Sequence, residues 1–226
     1  MIVELSYLIE ENENAPGQIL NLPLPKINWR SKFSDGQNKQ NQTSTLEIFN
    51  HNGTHIDTPL HLFPDGKSVK DYDISDFVFN KPFLISCIKS DFEKIEPKDF
   101  EFYRNKIKNS DLLLFYTGFS KYRFTDPKRF VVNSPAFSEE SARYIVNNFP
   151  NIRCIGMDFM SIENIPEGKK NGFPVHKIIL GSQNIFFIIE DMNLFPAIKR
   201  KLKNVIVAPL RIEAEASPST IIAEVE

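Results

Sequence analysis

Residues 51–61 read His51-Asn52-Gly53-Thr54-His55-Ile56-Asp57-Thr58-Pro59-Leu60-His61, which gathers three of the chain's four histidines and one carboxylate into a short stretch. Neutral imidazole and carboxylate are ligands that zinc and manganese accept, and no thiolate lies nearby to suggest a cysteine site. The His-x3-His spacing suits one face of a helix, but Gly53 and Pro59 both disfavour a helix here. An extended segment fits better. Residues two apart in a strand point the same way, so His55, Asp57 and His61 are expected on one face, with Ile56, Thr58 and Leu60 on the other. Gly53 lets the backbone turn, so that His51 folds back onto the same centre.

Before this stretch, residues 43–49 read as a strand leading into it, and residues 1–9 alternate apolar and polar side chains in the manner of a first strand. Between them the pattern dissolves over residues 10–42, through Pro16, Pro23 and Pro25; an irregular segment of that length is a lid or is disordered. Trp29 and Phe33 lie inside it and either pin the loop to the core or line a substrate pocket. After the histidines, Phe63-Pro64-Asp65-Gly66 is turn chemistry. Asp71, Asp73 and Asp76 lack the spacing and glycine of a calcium loop and read as a solvated turn.

Further on, residues 82–88, 111–117 and 152–159 read as buried strands, with Asp158 near the end of the last. Pro97 opens a short helix, and residues 118–135 form a second loop, rich in Phe, Tyr and Arg, suited to carrying specificity. Residues 138–149 give the clearest helix: Ser138 caps it, Glu139 and Glu140 occupy the first turn, and Ala142, Ile145, Val146 and Phe149 recur at helical spacing. The fourth histidine, His176, opens another apolar stretch, and Glu190 stands at the tip of the apolar run 185–189, where an acid is either solvated or a ligand.

With 226 residues, 41% of them hydrophobic, the chain supports one sizeable core and is expected to form a single domain over residues 1–226. No internal repeat is visible. A net charge of −2 with both signs interspersed leaves no basic footprint for nucleic acid and no polybasic membrane patch. No apolar run is long enough to span a membrane, and the opening residues lack the basic start and apolar core of a signal peptide, so a cytoplasmic location is expected. Cys87 and Cys154 sit in apolar runs and read as reduced core residues.

The stretch from His51 to His61 matches, at every fixed position, the pattern His-x-Gly-Thr-His-x-Asp-x-Pro-x-His. Through it the chain resembles the metal-dependent cyclase-like hydrolases, a family that includes bacterial kynurenine formamidase (arylformamidase) and isatin hydrolase. Gly156-Met157-Asp158-Phe159-Met160-Ser161, Pro174-Val175-His176 and the apolar strand ending at Glu190 fit the same family, as does Ala208-Pro209-Leu210-Arg211 followed by Ser217-Pro218. Thr220 departs from it, standing where an arginine is common, and the run from His176 to Glu190 is longer than usual.

The resemblance implies two divalent metal ions, zinc first and manganese as the alternative. His51, His55 and Asp57 would hold one ion, Asp57 would bridge, and His176 with Glu190 would hold the other, leaving His61 as the general acid/base. It implies an α/β chain with a mixed β-sheet core, flanking helices and the swivelling β/β/α arrangement of the cyclase-like fold, generally a homodimer or a higher assembly. The expected activity is hydrolysis of an amide-type bond in a small molecule, most like deformylation of N-formylkynurenine in tryptophan catabolism, with an isatin-like lactam or a lactone as the alternative. Trp29, Phe33 and Phe63 are the candidate substrate contacts. A non-catalytic metal-containing binding protein is the rival, but a structural zinc site closes on four ligands without a spare acid/base, and here five candidate ligands accompany His61.

Overall fold

The computed structural model describes residues 1–33, 41–184 and 187–226. Its strands are β1 (Ile2–Glu4), β2 (Lys26–Ser31), β3 (Thr43–Glu47), β4 (His55–Asp57), β5 (Val78–Phe79), β6 (Pro82–Ser86) and β7 (Lys94–Ile95). There follow β8 (Leu112–Tyr116), β9 (Ala136–Phe137), β10 (Cys154–Met157), β11 (Phe187–Glu190), β12 (Leu202–Pro209) and β13 (Ala216–Val225). The α-helices are α1 (Pro16–Ile19), α2 (Arg104–Ile107), α3 (Tyr122–Thr125), α4 (Pro127–Val132), α5 (Glu139–Asn148), α6 (Ile165–Asn171) and α7 (Pro174–Leu180).

The main sheet runs in the order β5-β12-β13-β4-β11-β10-β8-β6, with β1 pairing on β13. Strands β6, β8, β10 and β11 are mutually parallel, whereas β4 is antiparallel to both β11 and β13. The sheet is therefore mixed, as expected, and β4 lies at the seam between its parallel and antiparallel halves.

Both faces of the sheet are covered, which explains why its parallel strands read as continuous apolar runs. Along β8, Leu113 and Phe115 join a core with Phe130, Ile145 and Ile179, while Leu112 and Leu114 join one with Phe77, Phe187 and Val205 on the opposite face. Cys87 and Cys154 are buried and free, and burial pushes the Cys87 thiol up to about 12. Helix α5 begins where expected: the Ser138 hydroxyl accepts from the Ser141 amide, and Glu139 and Glu140 occupy the positive end of the helix.

Four expectations need correction. The segment 10–42 is not irregular throughout, because it contains α1 and β2, and β2 pairs antiparallel with β3 in a separate two-stranded sheet; residues 34–40 lie outside the described residues. Trp29 and Phe33 do not pin this segment to the core, since they are 46% and 59% exposed. The segment 118–135 is not a loop but carries α3 and α4. Asp126, whose side chain accepts from the Arg129 amide, and Pro127 at the first helical position start α4. Strand β3 forms within 43–49 but does not continue into β4; a turn through residues 49–54 intervenes. The acidic residues after the histidine stretch do specific work at short turns: Asp71 and Asp76 each accept from the backbone amide three residues earlier, at Ser68 and Asp73.

Candidate metal centre

Strand β4 supplies the middle of the site. His55 and Asp57 are both buried and share a face, while Ile56 points into the core on the other side. His51 precedes the strand, and the turn that folds it back rests on Gly53, whose φ of +67° is a left-handed conformation that a side chain would strain.

His61 does not continue the strand, which is the main local correction. Pro59 starts a 3-10 turn, Pro59–His61, in which the His61 amide donates to the Thr58 carbonyl. Gly66 packs against this turn so closely that a Cβ there would lie 2.5 Å from the Pro59 carbonyl carbon. The turn still brings the His61 ring to 4.6 Å from that of His51 and 5.9 Å from that of His176.

The remaining predicted ligands arrive from the second half of the chain. Glu190, the last residue of β11, pairs directly opposite His55. His176 lies in the first turn of α7, which starts from Phe173 in the left-handed region at φ 55°. His176 Nε2 is 3.2 Å from Glu190 Oε1, and His55 Nε2 is 3.6 Å from Glu190 Oε2. On the β4 side, His51 Nδ1 and His55 Nε2 lie 3.2 and 3.4 Å from Asp57 Oδ1. All six predicted site residues thus converge.

Two trios within the cluster have ligand atoms mutually within 4.8 Å: His51, Asp57 and His61, and His55, Asp57 and Glu190. Asp57 belongs to both. His55 Nε2 and both carboxylate oxygens of Asp57 are buried without a hydrogen-bond partner among the described residues. A buried carboxylate that makes no hydrogen bond is costly, and a divalent cation is a partner that would satisfy it. The donor set of imidazole nitrogens and carboxylate oxygens suits zinc or manganese, so these residues fit the expected metal.

Sequence reasoning missed the groups that hold the ligands in place. Glu163 Oε2 accepts from both the His176 amide at 3.0 Å and His176 Nδ1 at 2.7 Å, leaving Nε2 for the cluster. His55 Nδ1 lies 2.8 Å from the Gly53 carbonyl, which likewise turns Nε2 inward. Asp191, at φ 52°, is gripped by Arg123 through Nε and Nη2 at 2.7 Å each, and its carbonyl accepts from Thr54 Oγ1 at 2.5 Å. These contacts lock the neighbours of Glu190 and His55 across the seam. Nothing in the spacing of Glu163 or Arg123 marks them, because each finds its partner only through the fold.

Of the candidate substrate contacts, Phe63 lines a groove with Leu180 and Gly181 on the far side of the Pro59 turn. A separate cavity of about 410 Å³ abuts the site through Asn52 and Gly53, with Tyr7, Arg123, Met160 and Asp191 in its walls. Trp29 and Phe33 line neither space.

Charge is strongly coupled here. Burial opposes the charge on His51, but Asp57 and Glu215 overcome it and push its pKa up to about 10. Burial opposes His176 in the same way, and Glu163 and Glu190 raise it to about 10. Burial also opposes the Asp57 charge, yet His55 and His51 hold its carboxyl well below the usual range. His61 moves the other way: burial lowers its pKa, the charges of His51 and His176 add to this, and Asp57 offsets it only in part.

A pH dependence of the metal-free protein follows. Histidines raised from 6.5 to about 10 contribute stability that is fully present below pH 6.5 and is lost as pH rises through about 10. Metal-free protein is therefore expected to melt several degrees lower at pH 9.5 than at pH 6.5 by calorimetry. Metal affinity should run the opposite way, rising with pH because the imidazoles must shed their protons to bind. A flat melting profile across this window would show that neither histidine carries its proton in the metal-free fold.

The family model Cyclase ("Putative cyclase") matches residues 3–164. A protein of Methanocaldococcus jannaschii is 32% identical over 188 residues, covering 80% of this chain and 81% of that protein. Among solved structures, isatin hydrolase A from Labrenzia aggregata, bound to benzyl benzoate, superposes with a TM-score of 0.79 at 20% identity, over 99% of this chain and 93% of that one. The predicted metal-dependent hydrolase from Bacillus stearothermophilus gives a TM-score of 0.71 at 24% identity, over 99% and 97% of the two chains.

Proposed function

The chain belongs to the Cyclase family, and from that premise we propose that it is a metal-dependent hydrolase of a small amide-type substrate, most like an arylformamidase acting on N-formylkynurenine. The observation that carries this reading is the orphaned Asp57 carboxylate, buried among three histidines and Glu190 with both oxygens unsatisfied among the described residues.

His51, His55 and Asp57 would hold one divalent ion and His176 with Glu190 a second, Asp57 touching both; zinc is the first expectation and manganese the alternative. Such ions supply a water acidic enough to attack near neutral pH and a positive charge against the carbonyl oxygen of the substrate. The chain's own contribution to proton transfer is His61. Its lowered pKa keeps the imidazole neutral near pH 7, so it accepts a proton from the attacking water and delivers it to the leaving nitrogen. Glu163 and the Gly53 carbonyl hold His176 and His55 in the tautomers that face Asp57 and Glu190.

A second reading, ring opening of an isatin-like lactam or a lactone, is supported by the likeness to isatin hydrolase A. The exposed apolar side chains of the β2–β3 sheet, Ile27, Trp29 and Leu46, suit contact with a second copy, in keeping with a homodimer. The test is to count metals in protein purified without chelator and to assay the same sample against N-formylkynurenine, isatin and a small set of anilides and cyclic esters. Bound metal with turnover of one of these supports the hydrolase reading and names its substrate. One tightly held ion, indifferent to His176→Ala and Glu190→Ala, would overturn it in favour of a structural metal.

A further inference from the structure

Of the three candidate histidine ligands, two have the nitrogen turned away from the cluster fixed by an acceptor already described: Glu163 on His176 and the Gly53 carbonyl on His55. His51 follows the same pattern with a residue from the far end of the chain. Its Nδ1 faces Asp57 at 3.2 Å, and its Nε2 lies 3.3 Å from Glu215 Oε1.

Glu215 is delivered rigidly. Its carbonyl accepts from both the amide and the hydroxyl of Thr58 at 2.9 Å, and the next residue, Ala216, pairs with Asp57. The loop leading to it is tied to the turn at residues 68–72: the Val69 amide donates to the Ala214 carbonyl, the Lys70 amide to the Ile212 carbonyl and Arg211 Nη2 to the Tyr72 carbonyl. Asn50 Nδ2 adds a long contact to the carboxylate at 3.4 Å.

We infer that Glu215 is the positioning residue of His51, accepting a hydrogen bond from its Nε2–H so that Nδ1 is presented to the metal, and that only the half of the centre containing His51 depends on it. This rests on the metal reading proposed above and adds the β12–β13 loop to the centre. An outer acceptor of this kind typically changes metal affinity about 10–100-fold when it is lost. The Glu215 side chain is 35% exposed, and the bonds that fix this stretch are made by its backbone carbonyl, so replacing the side chain leaves the fold intact.

The experiment is calorimetric titration of chelator-stripped wild type, Glu215→Ala and Glu215→Gln with Mn²⁺ alone, with the melting temperature of each metal-free protein measured alongside. Expected is a weakening of about 10–100-fold at one of the two sites in Glu215→Ala, with the other site unchanged and the metal-free protein still folded and melting in one cooperative transition. Glu215→Gln, which keeps an acceptor oxygen, should recover most of the loss. Unchanged affinity at both sites in Glu215→Ala, or equal weakening at both, overturns the inference while leaving the hydrolase reading in place. Wild type that binds neither Mn²⁺ nor, in a parallel titration, Zn²⁺ overturns both.

Discussion

Replacing Asp57 by Asn is expected to abolish metal binding at both positions together, leaving less than about one ion per chain, and to remove activity with it. Asp57 is the one carboxylate common to both trios of candidate ligands, is fully buried, and has neither oxygen satisfied by a protein donor among the described residues. The amide preserves its size and removes its charge, so the loss reports electrostatics and not packing. The sharpest readout is thermal. A ligand that binds only the folded state at 100 times its dissociation constant stabilises by about 2.7 kcal/mol, so wild type should melt several degrees higher when Zn²⁺ is added, and Asp57→Asn should not respond. A variant that keeps its metal-induced shift would show that Asp57 does not bridge the centre.

His61→Ala should behave oppositely: full metal content and a normal metal-induced shift, with turnover reduced about 10²–10⁴-fold. Burial, with His51 and His176, lowers the pKa of His61, whereas those of His51 and His176 are raised, so the His61 imidazole is held neutral and able to accept a proton at pH 7. Its ring also lies within reach of His51 and Asp57, so the variant decides between two roles. Loss of metal along with activity would make His61 a ligand and leave the proton transfer to another group.

Much of the centre was legible in residues 51–61. The two-residue period of a strand placed His55 and Asp57 on one face, and Gly53 gave the turn that returns His51. The period failed at His61 because Pro59, which cannot donate to a sheet ladder, starts a 3-10 turn instead; the residue reaches the same cluster by a different route. The start of α4 was written in Asp126 and Pro127, a cap and a first-turn proline that a count of aromatic and basic residues overlooks. Glu163, Arg123 and Glu215 were not legible at all. Arg123 and Glu215 meet their partners because β11 and β13 flank β4, and Glu163 meets His176 because α7 folds back beside the end of β10, none of which a local spacing encodes.

The place of β4 in the sheet also bears on how the protein is made. The histidine stretch leaves the ribosome early, but the strands that flank β4 are β11 and β13, which follow more than a hundred residues later. At about 5–20 residues per second, the segment carrying His51, His55 and Asp57 waits on the order of ten seconds before its neighbours exist. Until then the candidate ligands lack the fixed geometry that the sheet gives them. The cluster is therefore completed only at the closure of the sheet, when β13 docks against β4 and delivers Glu215 to His51.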